Sequence, residues 1–429
     1  MSRSQGAAGI LWKTDSPRFA TRETGGNFAL VDCVMKIGDR GGPLLHPCDA
    51  GEGLVAYGKA GGILALLPVA QGAASGEGVV RLIKTRSEAG AGALREEFAA
   101  ALQEILGLED VALEEETWSA EFHLHARIAD RYQKGRAFLC GDAAHIHSPV
   151  GGLGMNTGLQ DAYNVAWKLA LVLRGVATEG LLATYELERR AVGLAVVKTS
   201  DRGFDLITQN SWAFRLARAV AFSRFGLRFL WPRFGKKGAE TVSQIKVNYR
   251  SSPLSWEPAA SKLYRAAKGR PAGEVRPGDR VPDVGPLEHV WRVDGGHLRS
   301  PKEATTSLHR LIAGVNFTLV LYLWDDGLPL GRLGALEALS ASPLSAHLDV
   351  YVVVRESGDE VPEDVGSDLR KEPVLDLRGE LGRRLGLLRH GLALIRPDGH
   401  LGFVSNLPTE WQVTRYLRDR LRIVGAKDL

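Results

Sequence analysis

Apolar and polar positions change their period several times along the chain, and each change predicts a different element. Phe28 to Met35 and Gly62 to Val69 are short apolar runs bounded by glycine and turn residues, which reads as strand. Lys59-Ala-Gly-Gly62 separates two extended stretches and predicts a hairpin. From 92 to 107 the spacing becomes helical, with Leu94, Phe98, Ala101, Leu102 and Ile105 on one face and Gly107 at the stop. Trp118 to Arg127 then alternates strictly: Trp118, Ala120, Phe122, Leu124 and Ala126 face one way, and His123, His125 and Arg127 the other. A buried strand is expected over Ala137-Phe-Leu-Cys140. A helix follows over Thr157–Arg174, its apolar side formed by Ala162, Ala166, Leu169 and Leu173, and another covers roughly 179–209.

Residues 232–283 are rich in Pro, Gly, Ser and charge and read as a linker. Beyond them the periods restart, with strand-like runs at 316–324, 348–354, 391–396 and 401–404 and a Pro397-Asp-Gly399 turn. A last helix begins near 408, with Val413, Leu417 and Leu421 at four-residue spacing.

Composition narrows this picture modestly. The chain has 429 residues, enough for two to three domains at ~150 residues each. Three cysteines (Cys33, Cys48, Cys140) form no CxxC pair and no disulfide framework, which suits a reducing, cytoplasmic setting. A net charge of +4, from 54 bases and 50 acids, is too small and dispersed to argue for nucleic acid. No apolar run approaches the ~18 residues of a membrane span, and the first residues lack a signal-peptide core. Residues 213–237 hold seven bases and no acid, best read as a packed helix pair with solvated arginines rather than a membrane-surface stripe.

The stretch that carries chemistry is Gly135-Arg-Ala-Phe-Leu-Cys-Gly-Asp-Ala-Ala-His-Ile-His-Ser-Pro-Val-Gly-Gly-Leu-Gly-Met-Asn156. A strand that ends at Gly141 presents the Asp142 carboxylate, which suits a polyol hydroxyl at the carboxyl end of a sheet. Pro149 and the glycines at 151, 152 and 154 lead directly into a helix amino terminus. Backbone without side chains approaches a flat ligand closely, and the free N–H groups favour negative charge there.

This string resembles the FAD-dependent aromatic hydroxylases, most closely the branch of phenol hydroxylase and 3-(3-hydroxyphenyl)propionate hydroxylase with its polyketide-tailoring and rifampicin-type relatives. The likeness continues through Gln160-Asp161-Ala162, Asn164, Trp167-Lys168-Leu169, Tyr185 to Arg190, Tyr249, Ser252-Pro-Leu254 and Gly278 to Asp283. It implies FAD as cofactor, NAD(P)H as co-substrate and O2 as oxidant, acting on an aromatic small molecule in a possible homodimer. It implies cofactor contacts from Gly141, Asp142, Pro149, Gly151, Gly152, Leu153, Gly154, Met155 and Asn156. Asp142 would hold the ribityl chain, Pro149 would sit at the isoalloxazine, and the 154–156 backbone would meet the flavin N1/O2 edge. Tyr57, Leu66 and Pro68 of the hairpin are candidates for the substrate pocket, with core packing the blander role for Leu66. No acid–base dyad is nominated, since the cofactor carries the hard chemistry.

The implied architecture joins α/β and α+β parts. Residues 1–115 form a mixed-sheet substrate region, 116–231 the carboxy-terminal half of an FAD-binding domain with its following helices, and 284–429 a thioredoxin-like domain. That last region contains no cysteine, and Trp324-Asp-Asp-Gly-Leu-Pro329 stands where redox members carry their pair. Gly51-Glu-Gly-Leu-Val-Ala56 matches GxGxxA by letter but has no strand before it and a strand-like run after it, so it reads as a turn. His123/His125 and His145/His147 are read as structural or pocket-lining rather than metal ligands. The opening strand–GxGxxG–helix unit of the resembled family is not in the sequence, so an amino-terminally incomplete monooxygenase is expected. The alternative is a non-catalytic remnant or binding module without tight FAD binding.

Overall fold

The computed structural model describes residues 19–37, 54–57, 63–69, 79–86, 94–106, 111–147, 152–208, 243–268, 274–289, 305–323, 333–355, 374–376, 378–387 and 390–425, with a few isolated positions between. The chain divides into two compact units, one of residues 1–130, 141–155 and 193–242 and the other of 131–140, 156–192 and 243–429.

The first unit is built on a six-stranded sheet. Its strands are β1 (Phe19–Ile37), β2 (Leu54–Tyr57), β3 (Ile63–Pro68), β4 (Val79–Arg86), β5 (Val111–Ala129) and β6 (His145–Ile146), in the spatial order β2-β3-β4-β1-β5-β6. β2 and β3 pair antiparallel, as a hairpin requires, with Tyr57 opposite Ile63. Helix α1 (Leu94–Leu106) lies over one face, burying Phe98, Ala101 and Leu102 against Val31, Cys33, Leu64, Leu66 and Leu82. Burial pushes the Cys33 thiol up to about 11, so it packs as a small apolar group. β1 and β5 are each far longer than their apolar cores, because Phe19–Glu23 pairs with His125–Ala129 across a register shift before Asn27. Backbone pairing carries those added residues, and β5 buries Ala126, Ile128 and Ala129 there.

In the second unit, α2 (Leu153–Leu173) and α3 (Ala183–Thr208) supply residues 156–192. They are followed by α4 (Ala259–Lys268), β7 (Leu287–His289), β8 (Thr305–Thr306), α5 (Leu308–Leu311), β9 (Phe317–Leu323), α6 (Leu333–Ala341), β10 (Leu348–Val354), β11 (Val374–Leu375), α7 (Glu380–Leu385), β12 (Gly391–Ile395), β13 (Leu401–Ser405) and α8 (Glu410–Arg415). The sheet runs β8-β7-β11-β10-β9-β12-β13, parallel from β9 through β10 to β11 and antiparallel at β12 and β13. Every residue of β9, β12 and β13 is buried, so these strands are covered on both faces, β13 included although it ends the sheet.

Two expectations meet a different structure here. The described part of 232–283 is built into the second unit: it contains α4, buries Leu254 and Tyr249, and pairs the 279–281 segment with 399–401. The helix over 157–174 is present, but Ala162, Ala166 and Leu173 lie on its exposed side. Its buried side holds Asp161, Asn164, Val165, Trp167, Lys168 and Leu171.

The reason is an ionic core. Glu188 on α3 accepts from Asn164 Nδ2 at 2.8 Å, Lys168 Nζ at 2.8 Å, Ser252 Oγ at 2.6 Å and both terminal nitrogens of Arg396 at 2.7 and 2.8 Å. Arg396 also reaches Asp398, whose carboxylate takes Trp167 Nε1 as well. Beside it Arg189 donates to Asp161 at 2.6 Å, to the Tyr249 hydroxyl at 2.9 Å and to the Thr157 carbonyl at 3.1 Å. Burial alone would raise the Glu188 carboxyl, but Arg396 and Lys168 outweigh it and hold the group well below the usual range. Burial drives the Lys168 ammonium down to about 8, opposed by Glu188.

Candidate functional site

The segment before the aspartate is a short hairpin, Gln133–Lys134 against Ala137–Phe138, turned by Gly135 at φ +56°. The strand expected over 137–140 therefore ends at 138; Leu139 instead donates its N–H to the Tyr132 carbonyl at 2.9 Å and is buried. Tyr185 on α3 fastens this piece with its hydroxyl on the Leu139 carbonyl at 2.6 Å, and Glu186 accepts from the Tyr132 and Gln133 N–H groups.

Gly141, at φ +58°, opens a single helical turn over 141–143. Ala144 closes that turn through its N–H on the Gly141 carbonyl at 2.8 Å, and its own carbonyl accepts from Ala129 at the end of β5. Between these fixed points the Asp142 side chain is exposed, and among the described residues it has no hydrogen bond or ion pair. A carboxylate held by its backbone and left unpaired is available to a hydroxyl-bearing ligand.

β6 follows, and Ile128 opposite His145 sets its register on β5. That register places His145 and His147 on the face opposite to His125 and Arg127. The two rings of His145 and His147 stack 6.1 Å apart. Among the described residues no group of three or more potential metal ligands comes together. The His147 ring lies against the first turn of α2, where a β-carbon built on Gly154 would meet His147 Nε2 at 3.7 Å.

Gly152 precedes α2 at φ +63°, a left-handed backbone that suits glycine, and a β-carbon there would meet nothing within 4 Å. With no side chain it offers the first turn of α2 no capping oxygen of its own. Leu153 is buried, whereas Met155 is 75% exposed and Asn156 is exposed. Gly154 has no such backbone demand, and its added β-carbon would make only ordinary contacts.

Pro149 and Gly151 lie outside the described residues, as does the Trp324–Pro329 stretch. Leu66 is buried beneath α1, while Tyr57 and Pro68 end their strands in the β2–β3 hairpin. Asn164, Trp167, Lys168, Glu188, Arg189, Tyr249 and Ser252, singled out by resemblance alone, are members or neighbours of the buried ionic core. Arg396 and Asp398 were not singled out. The one local signal for them is a charged pair around Pro397 directly after the fully buried β12.

Residues 46–200 match the FAD binding domain family. The chain is 35% identical over 307 residues to 4-methyl-5-nitrocatechol 5-monooxygenase of Burkholderia sp, a match covering 70% of this chain and 45% of that protein. It is 33% identical over 309 residues to 6-methylpretetramide 4-monooxygenase of Streptomyces rimosus, covering 72% of this chain and 48% of that one. The chain thus spans about half the length of the curated relatives it matches. Among solved structures, anhydrotetracycline hydroxylase from Streptomyces rimosus superposes with a TM-score of 0.61 at 22% identity, covering 97% of this chain and 67% of that one. Aklavinone-11 hydroxylase, in a complex with FAD and aklavinone, gives 0.63 at 21% identity, covering 94% and 64%.

Fold and sequence together define a mixed α/β protein of the flavin-binding hydroxylase type. Its sequence is similar to flavin-dependent aromatic monooxygenases over about 70% of its own length, and the FAD binding domain match over 46–200 contains the Gly141–Asn156 string. Among the described residues no helix is long and apolar enough to cross a membrane.

Proposed function

We propose that this chain acts as an FAD-dependent monooxygenase that hydroxylates an aromatic, phenolic or polyketide-like substrate with NAD(P)H and O2. The observation that carries the reading is an exposed Asp142, without a partner among the described residues, just before the glycine-led start of α2. The residues present suit a flavin. Asp142 would accept from the ribityl hydroxyls, and the backbone N–H groups of Gly154, Met155 and Asn156 would face the N1/O2 edge. A helix terminus there stabilises negative charge, which is what a reduced flavin presents. Gly154 supports the reading separately: neither backbone strain nor crowding among the described residues calls for glycine there, which suits a ligand that comes close.

When bound, FAD supplies the redox chemistry, taking hydride equivalents from NAD(P)H and activating O2. The chain's own residues bind, orient and keep water out. We assign the substrate to the sheet of β1–β5, with Tyr57 and Pro68 of the β2–β3 hairpin as contacts, since Leu66 is occupied in the core under α1. The sheet of β7–β13 is assigned a thioredoxin-like, non-redox role in structure or dimer formation, because Cys33, Cys48 and Cys140 all precede it.

The reading is tested by NAD(P)H oxidation in the presence of FAD, a panel of phenols and isotopically labelled dioxygen. Substrate-stimulated oxidation with label in the ring hydroxyl supports it. Oxidation that no aromatic stimulates, with all reducing equivalents ending in peroxide, overturns it.

A further inference from the structure

The second unit contains a cavity of about 450 Å³, within the ~300–1,000 Å³ typical of small-molecule sites. Leu159 and Tyr163 on α2, Tyr249, Ile312, Arg280 and His400 form its walls, so it is apolar and aromatic with polar groups at particular points. The backbone fixes those points. The 279–281 segment pairs antiparallel with 399–401, through Val281 N–H on the Gly399 carbonyl at 3.0 Å and Leu401 N–H on the Asp279 carbonyl at 2.9 Å. Arg280 and His400 are direct partners in that pairing and stand side by side.

Neither is satisfied among the described residues. The exposed Arg280 has no hydrogen bond or ion pair among the described residues. His400 is 5% exposed, its ring lies 4.3 Å from the Tyr249 ring, and its Nδ1 is 3.0 Å from the Asp398 carbonyl and 3.3 Å from the Asp398 carboxylate. With two acceptors on Nδ1, a neutral ring carries its proton there and presents Nε2 as an acceptor. That Nε2 is buried and has no partner among the described residues. Asp398, the one carboxylate in the lining, is already neutralised by Arg396 and takes Asn164 and Trp167 besides, so it does not oppose an anion.

We propose that this cavity is a ligand site for a planar aromatic hydroxy acid. Its carboxylate pairs with Arg280, its ring lies among Tyr163, Tyr249 and Ile312, and its hydroxyl donates to His400 Nε2. This site is independent of the flavin assignment and stands or falls without it.

The test is calorimetric titration of the full chain with 6-hydroxy-2-naphthoate. Saturable one-to-one binding is expected. Arg280→Ala should weaken it by about tenfold or more, the effect of losing a charge-assisted hydrogen bond. Leu159→Glu, on a different element, should weaken it comparably by setting a negative charge in the wall. 2-Naphthoate, which lacks the hydroxyl, should bind more weakly than the hydroxy acid. Arg280 and Leu159 are both exposed, so an unchanged thermal midpoint establishes that the variants are folded. Absence of saturable binding at millimolar probe overturns the proposal. So does binding that neither substitution weakens, since it places the probe elsewhere.

Discussion

Asp142 and Asp398 show how differently one side chain is treated in this chain. Asp398 is buried under donors from Arg396, Asn164 and Trp167, whereas Asp142 stands exposed with none among the described residues. The first is spent on the fold, and the second is not. The glycines divide in the same way. Gly152→Ala forces a left-handed backbone on an L-residue and should cost ~1 kcal/mol, read from the denaturant midpoint. Gly154→Ala should be neutral or stabilise the helix by up to ~1 kcal/mol while weakening FAD binding. A Gly154→Ala variant that loses stability and keeps its FAD affinity would show that packing, not ligand approach, explains that glycine. Asp142 and the glycines were legible in the sequence because their chemistry is local: a turn, a carboxylate and a helix start within 16 residues (141–156).

At the scale of elements, α2 was legible as a helix and illegible as to its face. Ala162, Ala166 and Leu173 satisfy a helical apolar stripe, yet the buried side carries Asp161, Asn164 and Lys168. Period alone cannot find a polar face that is buried by partners such as Glu188 and Arg396, 20 and 228 residues from Lys168. The helix Ala259–Lys268 was hidden inside an apparent linker because one of its buried positions is the charged Arg265, held on Glu257, which an apolar period does not register. The strand over 137–140 failed for a related reason: it found a pairing partner among the described residues only as far as Phe138.

This ionic core should dominate acid stability. Glu188→Gln leaves Lys168 and Arg396 facing each other without their anion, and should cost ~3–5 kcal/mol in a denaturant titration. Glu188 and Asp398 are held below their ordinary values of 4.5 and 3.8, Asp398 because Arg396 and His400 outweigh the effect of burial. Their stabilisation is therefore complete above those values and is lost as the pH falls toward the depressed ones. Melting temperature should drop steeply below about pH 4.5, and a flat profile from pH 6 to 3 would contradict the assignment.

For the whole molecule, the mixed sheets and the flavin-type segment were readable from the sequence. The division into two units was not, because residues 131–140 and 141–155 are neighbours in the chain yet belong to different units. The chain shares the fold of flavin hydroxylases over 97% of its length while spanning about half of its curated relatives. Cofactor binding is thus the property on which the proposed monooxygenase reading rests. FAD titrated into the purified chain, followed by the change in flavin absorbance, tests it most directly. Saturable binding that Asp142→Ala weakens by about tenfold or more, with the melting temperature unchanged, is the result predicted. No saturable binding, or the same affinity in the Asp142→Ala variant, would contradict the account.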